Sequence, residues 1–166
     1  MSTILILVAV AAVGIVVWWR FFHIARPAVA PLWLDPNDPL IVAAQGEARR
    51  SVPRFRLLAA QPNRGARVKV PFVSSSGSTE FLWAELLSLG DTDMRVRYLT
   101  PPVTHTGRLE RLHTYTVSDL VDWQVELLSG KYEGGFTMRA MFVRAHEQWS
   151  TLPRELEAEE RKYATP

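Results

Sequence analysis

The sequence contains no cysteine. Disulfide bonds, thiol catalysis and zinc sites built on sulfur are therefore excluded. Nineteen lysines and arginines against seventeen aspartates and glutamates leave a formal charge of +2, and no basic run is longer than a pair such as Arg49–Arg50. Because nucleic-acid binding needs a strong and clustered positive charge, we predict no nucleic-acid partner.

Recognisable loops for a nucleophile or a phosphate are also missing. Serines 74–76 lack the surrounding G-x-S-x-G pattern, and Gly130-Lys131 lacks the earlier glycine of a phosphate-binding loop. His105, Glu110 and His113 could bind a metal ion, but their spacing fits neither a helical nor a single-strand ligand pair. We therefore predict no catalytic residue, cofactor, metal or small-molecule substrate.

The N-terminus holds a long apolar run. Residues 4–22 are nineteen positions interrupted only by Arg20, close to the ~20 residues that a helix needs to cross a bilayer. We predict a transmembrane helix over residues 1–24. The residues expected at the membrane interface are Trp18, Trp19, Arg20, Phe21 and Phe22.

A cleaved signal peptide is the alternative for this run. No Lys or Arg precedes it, it is longer than the apolar part of a signal peptide, and no A-x-A-like site precedes the aromatic residues. Arg20 lies near the C-terminal end of the run and Arg26 follows it, so the positive-inside rule places the N-terminus outside and the remainder in the cytoplasm. The expected location is the inner membrane of a bacterium.

Three further regions follow. Residues 25–38 form a proline-rich linker, residues 39–150 an α+β domain, and residues 151–166 a charged tail helix that we expect to be solvated or partner-facing rather than part of the core. Asp38-Pro39 is a helix-start signal, and Ser51 and Pro53 interrupt the helix that follows.

Alternating patterns and turn residues predict about five strands in a small, curved antiparallel sheet with helices on one side or end. The predicted strands cover residues 67–73, 80–89, 94–99, 112–117 and 123–128. After Gly134-Gly135, helical spacing returns and Thr137 could cap the closing helix. The apolar face of that helix comprises Met138, Met141, Phe142, Ala145 and Trp149.

Three stretches are notable together and in order. They are AAQGEARRSVPRF, then EFLWAEL, and last the pair VSDLVDW and GKYEGGFTMRA. The set resembles the bacterial domain-of-unknown-function family 2314 over roughly residues 40–142. The matching residues are Pro53, Phe55, Glu80, Trp83, Asp119, Asp122, Trp123, Gly130, Lys131, Gly134, Gly135, Phe136, Thr137 and Arg139. The resemblance supports the fold but implies no activity, because the family has no settled one.

The matching residues have structural interpretations first. Trp83 and Trp123 are expected to face one core, with a ligand cage as the alternative. Asp119 and Asp122 could do acid–base work, but Asp119 is more simply a cap of a short helical turn.

The last matching residues surround a predicted turn. Gly134 and Gly135 are expected to form the corner where the chain leaves the sheet. Arg139 is expected to pair with Glu133 or Asp122, or to bind an anionic partner.

These observations favour a membrane-anchored, non-enzymatic accessory or structural subunit of a larger membrane complex, for example a respiratory or photosynthetic one. Its expected partners are the membrane and other protein subunits. A free-standing membrane-tethered binding or immunity-type module is one alternative, and an enzyme with an unrecognised active site is another.

Overall fold

A computed structural model describes residue 35 and residues 37–106, 108–149 and 151–163. The predicted transmembrane helix of residues 1–24, with its five interface residues, and most of the linker lie outside this part of the chain. Within the described part, no helix combines the length and the apolar character needed to cross a membrane.

The described chain is an α+β domain, as predicted. Its helices and strands are α1 (Pro39–Arg50), α2 (Val52–Ala60), β1 (Gly65–Val73), β2 (Thr79–Leu89), β3 (Asp93–Tyr98), β4 (Leu112–Thr116), a 3-10 turn (Val117–Asp119), β5 (Asp122–Glu126), β6 (Tyr132–Gly134), α3 (Phe136–Gln148) and α4 (Arg154–Glu160). All strands pair antiparallel in one open sheet of order β4-β3-β2-β1-β5-β6.

The first two helices begin where local chemistry predicts. The Asp38 carboxylate accepts a bond from the Leu40 N–H at 2.8 Å, and Pro39 takes the first helical position, where its missing N–H costs nothing. At Ser51 the hydroxyl donates to the Ala48 carbonyl at 3.0 Å, and α2 then starts with Pro53 in its first turn. The result is two short helices that meet at Ser51.

The main core lies between these helices and one face of the sheet. Val68 of β1 is in register with Ala84 of β2 and Trp123 of β5, and all three are buried. The Trp123 ring stacks on Phe55 of α2 with centroids 5.1 Å apart, and its Nε1 donates to the Ala48 carbonyl of α1 at 3.1 Å. Trp123 therefore joins both helices to the sheet.

The described part of the chain contains six strands where about five are expected. β6 has only three residues and pairs Gln124 with Gly134 and Glu126 with Tyr132. Three residues are too few to show the alternation of apolar and polar residues that identifies a strand, so the sequence predicts a loop here.

The C-terminal tail also differs from expectation. α4 forms and buries none of its own residues. Tyr163 beyond it, however, is buried against Tyr132 and Phe142, and its hydroxyl donates to the Gln124 side chain at 2.9 Å. Leu152, before α4, is buried as well. The prediction that the tail stays out of the core is therefore wrong at these two residues.

Helix α3 is held against α1 by an ion pair. The Arg144 guanidinium donates to both carboxylate oxygens of Asp38, at 2.8 and 2.9 Å. These bonds hold the pKa of Asp38 below its usual value. The cap of α1 and the start of the domain are thereby connected to the last long helix.

Candidate functional site

Asp122 lies at the junction of β5 and α3 and is fully buried. Its Oδ1 accepts bonds from the Trp123 N–H at 2.8 Å and the Phe136 N–H at 3.1 Å. Its Oδ2 accepts bonds from the Thr137 N–H at 2.7 Å and the Thr137 hydroxyl at 2.6 Å. The carboxylate therefore caps the N-terminus of α3, where the helix dipole favours a negative charge.

This arrangement corrects the predicted cap. Gly135 precedes the helix in a left-handed conformation, and Thr137 stands inside the first turn with its hydroxyl on Asp122. A carboxylate has about four lone-pair positions, and Asp122 fills them with four donors. Burial raises the pKa of this carboxyl, and the bonds from Thr137 act in the opposite direction. No lone pair is left to take a proton from a substrate, so the geometry supports capping rather than acid–base chemistry.

Lys69 stands next to Asp122 in the register of β1 and β5. Its Nζ lies 3.5 Å from the Thr137 hydroxyl and 6.0 Å from the centroid of the Trp83 ring. Burial lowers the pKa of this amine, while the charge of Asp122 raises it. We call Lys69, Asp122 and Thr137 the polar cluster; Lys69 is the member that the sequence analysis missed, because only the strand register reveals it.

Trp83 does not share a core with Trp123, contrary to expectation. Trp83 is in register with Lys69, whereas Trp123 is in register with Val68, and neighbouring residues of β1 point to opposite faces. Trp123 is fully buried under α1 and α2, while Trp83 is half-buried on the other face.

The side of the sheet that carries Trp83 presents apolar side chains to solvent. Pro71 of β1 lies opposite Phe81 of β2, and the N–H of Leu99 donates to the Trp83 carbonyl at 3.3 Å. Phe81 and Leu99 are each 42% exposed and Val73 is 67% exposed. We call Pro71, Val73, Phe81, Trp83 and Leu99 the open face.

The two glycines form the corner between β6 and α3. Gly134 has φ +88° and Gly135 has φ +63°, in the region that favours glycine. A Cβ on Gly134 would lie 2.3 Å from the Trp123 carbonyl oxygen, and one on Gly135 would lie 2.3 Å from the Tyr163 ring. The glycines allow close packing at the corner.

Asp119 and Arg139 are two further matching residues. Asp119 accepts bonds from the Thr116 N–H at 3.0 Å and hydroxyl at 2.9 Å and so closes the 3-10 turn, from its third position. The Arg139 guanidinium lies 4.8 Å from the Phe136 ring centroid, and Glu133 is bound by both nitrogens of the Arg54 fork, at 2.7 and 3.0 Å.

The histidines lie in an aromatic cluster on the core side of the sheet. The His105 Nδ1 accepts a bond from the Ser75 N–H at 3.2 Å, and the His113 Nε2 bonds with the Glu110 carbonyl at 2.8 Å. Both rings contact Phe72, with centroids 5.4 and 6.4 Å away. Across the described residues, no three metal-ligating side chains are grouped to hold an ion.

A groove of about 410 Å³ is lined by α2, the start of β1 and the last residues of β2, Leu86–Leu89. Arg56 in its wall donates to the carbonyls of Gly90 and Asp91 at 2.6 and 2.7 Å. The arginine therefore connects the helix to the turn, and this contact is structural.

Fold and geometry define a single-sheet α+β domain with a saturated buried cap and an apolar open face. Comparison with family models, curated proteins and solved structures finds no match to this chain.

Proposed function

We propose that the chain is a membrane-anchored, non-enzymatic accessory subunit that assembles with other proteins in a larger membrane complex, of respiratory or photosynthetic type. We also propose that it is a member of domain-of-unknown-function family 2314, on the motif residues given above. The observation that carries the functional proposal is the open face.

The open face has the composition of a protein-binding surface. Aromatic residues are enriched at the energetic centres of interfaces, and here Trp83 and Phe81 are adjacent on β2, beside Pro71 and Leu99. Full burial of one large apolar side chain contributes about 1.5–3 kcal/mol. Covering several of them at once supplies the main driving force for association with a partner.

The membrane anchor rests on the apolar residues 4–22. A transmembrane helix at the N-terminus would hold the domain at the membrane surface. The exposed apolar face of the domain could then contact a partner there. The saturated hydrogen bonding of Asp122 supports a non-enzymatic role for the polar cluster.

Co-purification of the full chain from membranes with a mild detergent tests the proposal. We expect a defined multi-subunit complex from the unaltered chain and its loss from Trp83→Ser. Leu57→Ser is the matched control, because Leu57 is 59% exposed on α2 and should leave the complex intact.

Migration of the unaltered chain without other proteins would contradict the proposal. Equal loss of the complex in both variants would show that the open face is not the binding surface. A stable soluble partner retained without membrane proteins would instead favour the immunity-type alternative.

A further inference from the structure

The two edge strands of the sheet differ in whether another described segment covers them. At the β6 edge, the Tyr132 N–H donates to the Lys162 carbonyl at 2.7 Å, and Tyr132 forms a parallel bridge with Tyr163. The C-terminal segment therefore covers that edge. Among the described residues, β4 forms the other edge and pairs with β3 alone.

The hydrogen bonds around β4 identify which backbone groups point outward. The Tyr98 N–H donates to the Arg111 carbonyl at 3.0 Å, and the Val117 N–H donates to the Thr92 carbonyl at 2.9 Å. In an antiparallel pair, hydrogen-bonded positions alternate. The backbone N–H and C=O groups of every second residue from Arg111 to Val117 therefore point toward β3. Leu112, Thr114 and Thr116 therefore direct their N–H and C=O groups away from the sheet. The Thr116 N–H is already bound by Asp119.

Features that normally block an edge are missing from this strand. Natural edges are protected by lysine, proline, bulges or inward charges, whereas β4 reads Leu-His-Thr-Tyr-Thr and carries none of these residues. Its pairing with β3 runs in register without a bulge. Threonine and tyrosine favour extended backbone.

The charges around this edge are arranged in a self-complementary way. At its first end Arg111 precedes the strand, after Glu110, and Arg97, in register with Leu112, is paired with Glu85. Arg111 is therefore the positive charge that this end offers to a partner. Negative residues lie at its last end, where Asp93 is in register with Thr116 and Asp119 follows. Antiparallel pairing of two copies sets each positive end beside a negative end, whereas parallel pairing would set like charges together.

We propose that two copies of this chain pair antiparallel through their β4 edges, with a twofold axis at Thr114. The five residues of β4 then overlap completely, Leu112 lies opposite Thr116 of the other copy, and two six-stranded sheets become one continuous sheet. Thr114 N–H and C=O groups exchange two bonds, and each Leu112 N–H donates to a Thr116 carbonyl. A twofold interface of this kind is closed, so association stops at the dimer. This proposal does not depend on the partner of the open face.

Single cysteines in the cysteine-free chain test the register directly. The two Thr114 residues are a hydrogen-bonded pair with Cα atoms about 5.5 Å apart, within the range that a disulfide accepts. The two Leu112 residues are about four strand positions apart, or roughly 13 Å. Under mild oxidation of the full chain, we expect Thr114→Cys to give a covalent dimer and Leu112→Cys to stay monomeric.

A second variant tests the edge without a new thiol. Thr114→Pro removes an outward N–H and none of the hydrogen bonds within the sheet, and proline is tolerated at such edge positions. Thr114→Val keeps that N–H and is the control. Measured by light scattering on the full chain in mild detergent, the unaltered protein and the valine variant should be dimers and the proline variant a monomer. A monomeric unaltered chain, equal crosslinking at positions 112 and 114, or a dimer that survives Thr114→Pro would each overturn the proposal.

Discussion

Replacement of Asp122 by asparagine should destabilise the domain strongly, although the two side chains have almost the same size. Each carboxylate oxygen of Asp122 accepts two bonds from buried or half-buried donors. The amide group of asparagine presents a donor in place of one oxygen. Whichever oxygen is replaced, two native donors then face another donor.

The magnitude follows from these four bonds. Two lost hydrogen bonds to a charged group cost about 1.5–3 kcal/mol each, or roughly 3–6 kcal/mol together. Removal of a buried charge offsets part of this cost, and the Thr137 hydroxyl can rotate to accept from the amide. We therefore expect the free energy of unfolding to fall by about 2–4 kcal/mol, which lowers Tm by roughly 5–15 °C.

Urea denaturation of the full chain in mild detergent, followed by far-UV circular dichroism, measures the change. Asp119→Asn is the matched control, because Asp119 accepts bonds from Thr116 only, on a three-residue turn. It should cost about 1 kcal/mol or less. A loss below about 0.5 kcal/mol for Asp122→Asn, or equal losses in both variants, would refute Asp122 as the cap that holds α3 to the sheet.

Three further predictions follow from single positions. Gly134→Ala should lower the free energy of unfolding by at least about 2 kcal/mol, because Gly134 has a positive φ and the added Cβ would contact the Trp123 carbonyl. Gly46→Ala inside α1 is the control and should be neutral or stabilising by up to about 1 kcal/mol. Equal effects of the two changes in urea denaturation would contradict this. The Glu80 carboxylate accepts bonds from the Thr104 hydroxyl and from the N–H groups of Thr104 and Val103, and these bonds hold its pKa below the ordinary 4.5. Its contribution to stability is therefore present above pH 4.5 and lost as pH falls. Glu80→Gln should flatten the stability profile between about pH 5 and 3, and an unchanged profile would exclude this role. Gly14→Arg places a charge at the middle of the apolar run at a cost of about 2.5–3.5 kcal/mol, and it should shift the full chain from the alkali-resistant membrane fraction toward the soluble one.

Local chemistry explains which elements the sequence predicts. Asp38-Pro39 starts α1 because both the cap and the proline act within one turn. The alternation of buried and exposed residues identifies β1, since one face must meet the core. In both cases the residues that predict the element lie within the element or next to it.

Contacts between distant residues explain what the sequence does not predict. Asp122 caps a helix that begins fourteen residues later, so its role depends on the pairing of β5 with β1 and β6. β6 exists as a strand because β5 lies on one side and the C-terminal segment on the other. No pattern inside Tyr132–Gly134 contains that information.

The face of Trp83 is the case that matters most for function. Alternation divides β2 into two sets, and each combines apolar residues with one glutamate: Leu82 and Ala84 with Glu80 on one side, Phe81 and Trp83 with Glu85 on the other. Hydrophobicity alone therefore cannot decide which set meets α1 and α2. The helices cover Leu82 and Ala84, and Phe81 stays exposed. Exposed apolar side chains that lie together on one surface often mark a protein-binding site. Helices α1 and α2 cover one face of β2, and we propose that the partner of this chain covers Phe81 and Trp83 on the other.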